Sequence, residues 1–401
     1  MEKIDDVWPF ARDPQNPLLP PPRLAEIRDK GDLVEMRMYD GIPVTLATTY
    51  EQVVAVLTHP EVSSDGTKPG FPYASDSTRA NRGSRPTIDR LDNPEHNRQR
   101  AMLAPYFSAK RVLEHKEFIE ETVDGLLDKI ERQGSAELLT EFAERLPATV
   151  VTRIMGLPYE DADFILDRIH IWMNDTGEPA AIAQAMEDMK SYFSDALDQR
   201  AGKDGDDFLS RLVREQLEPG NISRNQLLLT LHLVVSAGFE TTANAITLGT
   251  VALLDDGEAW RDLAQTDDDG LVKSAVEEIL RFLSVAHTSH FRLPLAPIPV
   301  GHQVIPAGQG VVAPQMSANH DPRRFEDPDR LDIRRDAKGH VAFGNGLHQC
   351  LGQNLARLEL QTVFRKMPKR FPTMRLAKPL LDIRFKTESI AYGADAVPVE
   401  W

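Results

Sequence analysis

Apolar positions recur every three or four residues over much of the chain, the spacing that places them on one face of a helix. The clearest run lies between residues 112 and 130, and a second helix is predicted from Pro147 until Gly156 and Pro158 end it. Residues 43–47, which follow the turn at Gly41, instead predict a strand. The pattern therefore favours a mainly α protein with a small β-rich region.

The longest apolar segment covers residues 227–254, and its length alone would suit a membrane span. However, Glu240 lies at its middle and polar residues such as His232 and Asn244 interrupt it. A carboxylate at the centre of a bilayer costs roughly 2.5–3.5 kcal/mol or more, and no basic flank sets a topology. We therefore expect a long helix buried in the centre of a globular protein and no membrane segment.

The chain carries 62 acidic and 46 basic residues in 401, for a net charge of −16, which argues against a nucleic-acid-binding protein. Residues 1–6 contain neither a basic cluster nor an apolar run, so we expect no signal peptide and a cytoplasmic location. One cysteine cannot form an internal disulfide, which agrees with a reducing compartment. Because no linker interrupts the sequence, we expect a single domain over residues 1–401, and a monomer.

That cysteine, Cys350, lies among glycines in the segment Phe-Gly-Asn-Gly-Leu-His-Gln-Cys-Leu-Gly at residues 343–352. Glycines let a flat metal macrocycle approach the backbone, and backbone N–H groups can tune a thiolate ligand. The alternative is a buried free cysteine that behaves as a small apolar side chain. The pattern Phe-x-x-Gly-x-x-x-Cys-x-Gly resembles the cysteine-ligand loop of the cytochrome P450 family. The resemblance implies that Cys350 binds the iron of haem b and that the loop residues surround it, namely Phe343, Gly344, Gly346, Gly352 and, in the following helix, Ala356.

Two further segments resemble the support of that loop. Glu278 and Arg281, three residues apart, can pair on one helix face. An isolated pair with this spacing is more often a solvated surface pair. In the family, however, the Glu-x-x-Arg pair is buried and bound by a second arginine, and residues 328–331 match its loop. The resemblance therefore implies that Arg330 is the third member of the cluster.

Several basic residues match family positions that contact the haem propionates. His96 and Arg100 lie one helical turn apart, so they can reach the same carboxylate. Arg292, His340 and His348 are the further candidates that the resemblance implies. Each of them taken alone could equally be a surface base.

Residues 237–242, Ala-Gly-Phe-Glu-Thr-Thr, resemble the oxygen-activating motif of the family. The resemblance implies that Ala237 and Gly238 leave room beside the iron and that the hydroxyl of Thr241 faces dioxygen. Glu240 would relay protons from solvent, because a carboxylate followed by a hydroxyl can pass them inward. The alternative is that Thr241 bonds back to its own helix and Glu240 pairs on a surface.

The sequence contains no dinucleotide-binding glycine loop and no cysteine set for an iron–sulfur cluster, so electrons must come from outside. The resemblance implies a separate ferredoxin and ferredoxin reductase. Residues 351–401 hold nine basic and five acidic residues, which could attract an acidic ferredoxin or could simply be solvated. Arg98, Arg357 and Lys366 are the candidate contacts.

The resemblance implies the cytochrome P450 fold, a triangular prism with a long central helix over the haem. It also implies a monooxygenase that inserts one atom of O₂ into a medium-sized apolar organic substrate by hydroxylation, demethylation or epoxidation. Residues 63–72 resemble actinobacterial members that act on drugs, macrolides and secondary metabolites, but also the fungal branch that reduces nitric oxide with NADH. The same motifs would also occur in a peroxide-using enzyme or a non-catalytic haem-binding protein. Glu240 before Thr241 favours the monooxygenase, since the nitric oxide reductases lack that acid and a carrier needs no proton relay.

The substrate contacts are expected from five segments of the chain. One of them follows Pro72. His287 and His290, in or beside these segments, are candidate polar substrate contacts, or ordinary loop or propionate-side residues. The other four segments are residues 169–173, 234–237, 285–289 and 391–392.

Overall fold

The computed structural model describes residues 1–76, 79, 87–173, 178–287, 290–387 and 389–401, and just over half of the chain is helical. In this part of the chain we number fourteen α-helices in chain order. They are α1 (Pro22–Lys30), α2 (Tyr50–Thr58), α3 (Glu95–Leu103), α4 (Ala109–Leu113), α5 (Lys116–Glu131), α6 (Arg145–Met155), α7 (Ala162–Met173), α8 (Pro179–Asp198), α9 (Phe208–Leu212), α10 (Arg224–Asp256), α11 (Glu258–Gln265), α12 (Asp269–Leu283), α13 (Gln315–Asn319) and α14 (Gln353–Arg370).

The strands of the same residues form one larger and two small sheets, so the predicted class of a mainly α protein with a small β-rich region is confirmed. The six-stranded sheet has the order β1-β2-β3-β9-β6-β4, the three-stranded sheet β10-β11-β5, and β7 pairs with β8. Their bounds are β1 (Glu2–Trp8), β2 (Val34–Met38), β3 (Pro43–Leu46), β4 (Val62–Ser63), β5 (Ser135–Glu137), β6 (Phe291–Pro294), β7 (Ile298–Val300), β8 (Gln303–Ile305), β9 (Gly310–Val312), β10 (Arg375–Leu376) and β11 (Pro398–Glu400).

Helix α10 is the long apolar helix that the sequence predicts. Ser223 caps its first turn by accepting a hydrogen bond from the Gln226 N–H, and the helix ends before Gly257. Its 33 residues span about 50 Å at 1.5 Å per residue. Most of its second half is buried on all sides, as expected for a helix inside a protein. Within the described residues, no helix has the length and apolar character needed to cross a membrane.

Helix α10 packs on α6, α12 and α14, and this packing brings the predicted site segments together. At Gly249 the approach to α14 is so close that an added Cβ would lie 2.7 Å from Phe364 Cζ and 3.0 Å from Ile279 Cγ2. Helix α14 begins three residues after Cys350, so the cysteine loop is held against α10 through α14.

Local predictions for the shorter elements are confirmed in part. The predicted strand at residues 43–47 is β3, and the predicted second helix is α6, which ends just before Gly156, whose φ is 74°. The run from residue 112 to 130 is divided between α4 and α5, because the chain turns at Glu114 and His115. Residues 389–392 form no strand, although Ala391 makes an isolated antiparallel bridge with Ala286.

Candidate functional site

A cavity of about 460 Å³ lies between α10 and the cysteine loop that precedes α14. It collects residues from distant parts of the chain, and every predicted site residue lines it except Gly346 and His340. The predicted residues that line it are His96, Arg100, Ala237, Gly238, Glu240, Thr241, Arg292, Phe343, Gly344, His348, Cys350, Gly352 and Ala356.

The cysteine loop folds back on itself. The Cys350 N–H donates to the Phe343 carbonyl oxygen at 2.8 Å, which closes the loop. Gly344 and Gly346 both have a φ of 74°, where a side chain is strained. A Cβ on Gly346 would also lie 2.6 Å from the Leu57 carbonyl oxygen, so Gly346 supports the loop from behind, where α2 ends, and does not line the cavity.

The surroundings of Cys350 act on its thiol in opposite directions. Burial raises the pKa of the Cys350 thiol, whereas the backbone N–H groups of Gly352 and Gln353 and the guanidinium of Arg100 lower it. The two N–H groups belong to the start of α14, where the helix dipole also favours a thiolate. Since Cys350 lines the cavity and is only half-buried, it does not behave as an apolar core residue. This arrangement suits a thiolate ligand to a metal in the cavity.

A group of bases lines one side of the cavity. The rings of His96 and His348 meet edge to face with centroids 4.4 Å apart, and Arg100 Nη2 donates to the Gln349 carbonyl oxygen at 2.8 Å. Burial lowers the pKa of Arg292 to about 10, and burial together with the surrounding cations lowers the pKa of His348 to about 2. The buried Nδ1 of His348 has no hydrogen-bond partner among the described residues. Such a group can bind carboxylates, and it therefore fits the two propionates of a haem.

One member of this group has no signal in the sequence. Arg90 lies in the short 3₁₀ turn Ile88–Arg90, is 9% exposed and lines the cavity. Its charge lowers the pKa of Arg292 and of His290, so the three side chains interact electrostatically. Arg90 is brought to the bases only by the tertiary fold, and no motif precedes it.

The structure does not bring His340 to the cavity, and the prediction that it contacts a propionate is wrong. Its side chain is 2% exposed, and Nε2 lies 3.1 Å from the Glu277 carboxylate. Its Nδ1 accepts a hydrogen bond from the Ala342 N–H at 3.1 Å. Both ring nitrogens therefore already have a partner. Since Glu277 on α12 also binds Arg357 of α14, His340 belongs to the contacts that join these two helices behind the cysteine loop.

The buried pair on α12 is present, but its predicted third member is wrong. Arg281 Nε and Nη2 donate to the Glu278 carboxylate at 2.7 and 2.8 Å, and both side chains are fully buried. The second arginine is Arg335, whose Nε donates to Glu278 Oε1 at 3.1 Å. Arg330 is 72% exposed at its side chain and contributes only its carbonyl oxygen to Arg281 and Arg335. The loop therefore turns the Arg330 side chain outward and brings Arg335 inward.

On α10, Ala237 and Thr241 lie one turn apart and both face the cavity. Thr241 Oγ1 donates to the Ala237 carbonyl oxygen at 2.7 Å, so its hydroxyl oxygen keeps its lone pairs for another donor. Glu240 also lines the cavity and is half-buried. The back-bond of Thr241 is the arrangement expected of a purely structural threonine, but here it coexists with exposure to the cavity.

Glu359 is an acid of the cavity that no motif in the sequence marks. It lies on α14, is 1% exposed, and its Oε1 has no hydrogen-bond partner among the described residues. Burial raises the pKa of its carboxyl to about 8, so the neutral acid is the main form at pH 7. A glutamate nine residues after Cys350 is visible in the sequence, but nothing there indicates that it is buried.

Most of the expected substrate segments reach the cavity. Trp172 lies edge to face on His232 with centroids 4.5 Å apart, and residues of three other segments line the same cavity. His290 lines the cavity, whereas His287 does not. The expected segment after Pro72 falls largely on residues 77, 78 and 80–86, outside the described residues, as do residues 174–177, 288 and 289. The lining members of the predicted segments are Trp172, Val234, Ser236, Ala237, Val285, Ala286 and Ala391.

The three cations proposed as ferredoxin contacts are all ion-paired within the protein. Arg98 binds Glu95, Arg357 binds Glu277 at 2.7 Å, and Lys366 binds Asp124 at 2.7 Å. Their charges are therefore partly neutralised before any partner approaches.

Comparison with known proteins agrees with this site. The family model for cytochrome P450 matches residues 172–377. The chain is 39% identical to pentalenic acid synthase of Streptomyces avermitilis over 98% of its own length and 97% of that protein's. It is similar in structure to GfsF, named as a cytochrome P450 of Streptomyces halstedii, with a TM-score of 0.94 and 35% identity over 98% of this chain and 100% of the other.

A second solved relative was crystallised with a bound ligand. It is the mycinamicin VIII C21 methyl hydroxylase MycCI from Micromonospora griseorubida, bound to mycinamicin VIII, with a TM-score of 0.90 and 34% identity over 98% of this chain and 100% of the other. The chain belongs to the cytochrome P450 family, which confirms the predicted family, fold and enzyme class. Members of this family are oxidoreductases that bind haem through an axial cysteine thiolate.

Proposed function

We propose that this cytochrome P450 is a monooxygenase that inserts one atom of O₂ into a medium-sized apolar molecule of secondary metabolism, by hydroxylation, demethylation or epoxidation. The observation that carries the proposal is the cavity that joins Cys350 to Thr241 of α10 and is lined mainly by apolar side chains. The relatives support this substrate class, because their names describe a mycinamicin hydroxylase and a vitamin D3 dihydroxylase.

The residues of the cavity have the chemistry to hold a haem. Cys350 would bind the iron, with the N–H groups of Gly352 and Gln353 stabilising its thiolate. His96, Arg100, Arg292 and His348 would bind the propionates, and Arg90 would join them. When bound, the haem supplies the activation of dioxygen and the transfer of oxygen to the substrate.

The chain itself would provide protons and keep water out. Thr241 would present its hydroxyl oxygen to a hydrogen-bond donor, since its own proton is held by the Ala237 carbonyl oxygen. Glu240, next in the chain, would pass protons inward from the solvent side. The apolar cavity wall would orient the substrate and limit access by bulk water.

Three competing functions belong to different classes of protein. A nitric oxide reductase would consume NADH and nitric oxide without ferredoxin, and a peroxide-using enzyme would form product from peroxide alone. A non-catalytic haem protein would bind haem and convert nothing. Glu240 beside Thr241 favours the monooxygenase, because a proton relay serves oxygen activation.

Electron supply is also part of the proposal. The chain lacks the motifs for a second redox cofactor, so we propose that a separate ferredoxin and ferredoxin reductase deliver electrons. The protein would act as a single domain and a monomer in the cytoplasm.

The proposal predicts two distinct variant phenotypes. Dithionite-reduced wild-type protein with carbon monoxide should show the far red-shifted Soret band of a thiolate-bound haem, and Cys350→Ser should lose it. Thr241→Ala should keep the band, because Thr241 does not bind iron. With ferredoxin, its reductase, NADH and a compound selected by its spin-state shift, Thr241→Ala should divert reducing equivalents to hydrogen peroxide.

An unshifted band in the wild-type protein would refute Cys350 as the ligand. A normal band combined with unchanged product formed per NADH in Thr241→Ala would instead refute the role of Thr241. Full product formation with peroxide alone, at the ferredoxin-driven rate, would favour the peroxide-using enzyme.

A further inference from the structure

One wall of the cavity is made by two segments that are far apart in the chain. The Tyr392 N–H donates to the Val285 carbonyl oxygen at 2.8 Å, and the His287 N–H donates to the Ile390 carbonyl oxygen at 2.9 Å. Ala286 and Ala391 form the antiparallel bridge between them. We call residues 285–287 and 390–392 the paired wall; its cavity side consists of Val285, Ala286, Ile390 and Ala391.

The reverse side of the paired wall is buried in the protein. His287 is 4% exposed and Tyr392 1% exposed, with ring centroids 5.4 Å apart. The Tyr392 ring also stacks nearly parallel on Phe385, at 5.6 Å. The rings of His287 and Tyr392 are therefore the surface through which the rest of the protein holds the wall.

Arg12, in the segment between β1 and α1, covers that surface. Its guanidinium carbon lies 3.7 Å from the centroid of the Tyr392 ring, and Nη2 lies 3.5 Å from His287 Nδ1. Nη1 donates to the Leu19 carbonyl oxygen at 2.6 Å, which ties Arg12 to its own segment. The same segment reaches the wall a second time, because the Tyr392 hydroxyl donates to the Pro17 carbonyl oxygen at 2.7 Å.

Arg12 is an unusual residue to bury. It is 7% exposed, and no carboxylate of the described residues forms an ion pair with it. Burial lowers the pKa of Arg12 to about 10, so the guanidinium is still charged at pH 7. Carbonyl oxygens and the face of an aromatic ring are what compensate the lost hydration of this cation. An apolar side chain would cost less to bury, so the contacts of the guanidinium with both wall segments are a reason to retain it.

We propose that Arg12 is a positioning residue that holds the paired wall in place from behind and thereby determines how a large ligand is oriented in the cavity. This inference rests on the proposed haem enzyme, since the ligand lies between the wall and the iron. Without the guanidinium, the Leu19 carbonyl oxygen loses its partner and a void opens behind the Tyr392 ring. The wall then shifts, and only ligands that touch it are affected.

The test uses two azoles that bind iron through the same kind of nitrogen but differ in size. Imidazole is a single small ring, whereas clotrimazole carries several further aromatic rings and should extend to the wall. In Arg12→Met, the dissociation constant of clotrimazole, read from the Soret shift, should rise about tenfold, equivalent to about 1.4 kcal/mol. That of imidazole should stay within about twofold of wild type, because the iron and its thiolate are unchanged.

Three more variants sharpen the result. Arg12→Lys keeps the charge and a donor to Leu19 and should recover part of the clotrimazole affinity, although it lacks the planar stacking group. Tyr392→Phe removes only the hydroxyl bound to Pro17 and should shift the clotrimazole affinity in the same direction by less. Arg23→Met is the matched control, because Arg23 is ion-paired to Asp6 and Glu26 and touches neither wall segment. It should leave both affinities unchanged.

If Arg12→Met weakens the binding of both azoles equally, or changes the binding of neither, the role of Arg12 is overturned. If Arg12→Met does not fold, Arg12→Lys and Tyr392→Phe decide the question, and wild-type affinities in both would overturn it. The carbon monoxide spectrum is recorded for each protein first. If wild-type protein lacks the thiolate band, the proposed function itself is refuted. If the band is normal and the ratio of the clotrimazole and imidazole dissociation constants is the same in Arg12→Met as in wild type, only the inference about Arg12 is refuted.

Discussion

The support of the cysteine loop depends on Arg335 and not on Arg330. Glu278 receives hydrogen bonds from Arg281, from Arg335 and from the Asp332 N–H, whereas the side chain of Arg330 points to solvent. The cluster is therefore assembled around one buried carboxylate, and each arginine that binds it also holds a backbone carbonyl oxygen of the same region.

Replacing these two arginines should have very different effects. Arg335→Ala removes a charged hydrogen bond to Glu278 and should lower the free energy of unfolding by about 1.5–3 kcal/mol. Arg330→Ala should change it by no more than about 0.5 kcal/mol, since only an exposed side chain is lost. Urea unfolding of the two variants measures the difference, and equal losses would contradict the assignment of Arg335.

The sequence predicts those site residues that belong to a short continuous motif, and it misses those that only the tertiary fold brings to the cavity. Cys350 and Thr241 belong to continuous segments, so their neighbours along the chain revealed them, and both reach the cavity. Arg90 has no such context. His340 carries the right side chain near the right segment, but its ring is turned toward Glu277, an orientation that sequence spacing does not determine.

Among the helices, the crossing of α10 and α14 is the contact that connects the cavity to the core. Gly249 permits it, because the ring of Phe364 and a methyl group of Ile279 occupy the space where a side chain would start. A helix interior is otherwise a poor place for glycine.

Gly249→Ala should lower the free energy of unfolding by about 1–3 kcal/mol, because the added methyl group forces Phe364 or Ile279 to move. Gly125→Ala is the matched control: it lies in α5 with nothing within 4 Å of the added Cβ, and it should raise stability by about 0.5–1 kcal/mol. Both values come from urea unfolding. A stabilising Gly249→Ala would show that the two helices are not in close contact there.

Elements with strong periodicity were predictable and irregular ones were not. Helix α10 agrees with the apolar run to within three residues at either end, because its length and its Ser223 cap are local properties. The division between α4 and α5 was missed, since the apolar spacing continues across it. The bridge between Ala391 and Ala286 in the paired wall is a tertiary contact, which a local sequence pattern does not predict.

For the whole molecule, the number of basic residues in a segment of the chain overstates the positive charge that a partner protein would meet. Residues 351–401 carry an excess of basic residues, but most of these form ion pairs, five of them with acids outside this segment. The paired residues are Arg357, Arg365, Lys366, Lys369, Arg370, Arg375 and Arg384. Surface pairs of this kind contribute little stability, but they reduce the field that a charged partner would meet.

The stability of the molecule should depend on pH through His287. Burial and the neighbouring Arg12 lower the pKa of His287 to about 3, against 6.5 for an unburied histidine. Below pH 6.5 the unfolded chain therefore takes up a proton that the folded protein excludes, and stability falls as the pH drops toward 3. Between pH 7 and pH 5, this one group should remove about 2 kcal/mol.

The measurement is urea unfolding at pH 7 and pH 5. Wild-type protein should lose about 2 kcal/mol more over this interval than His287→Gln, which cannot take up the proton. His302→Gln, in the exposed turn between β7 and β8, should lose as much as wild type. Identical losses in wild type and His287→Gln would contradict the prediction.

The paired wall also bears on how such enzymes diversify. The residues that would hold the haem come from helices, strand β6 and the tight cysteine loop, whereas the wall that faces a ligand consists of two short segments joined by backbone hydrogen bonds. A lineage can therefore replace side chains on the wall without disturbing the crossing of α10 and α14. Chains that share about a third of their residues can therefore keep one architecture and still differ in the wall that a ligand would meet.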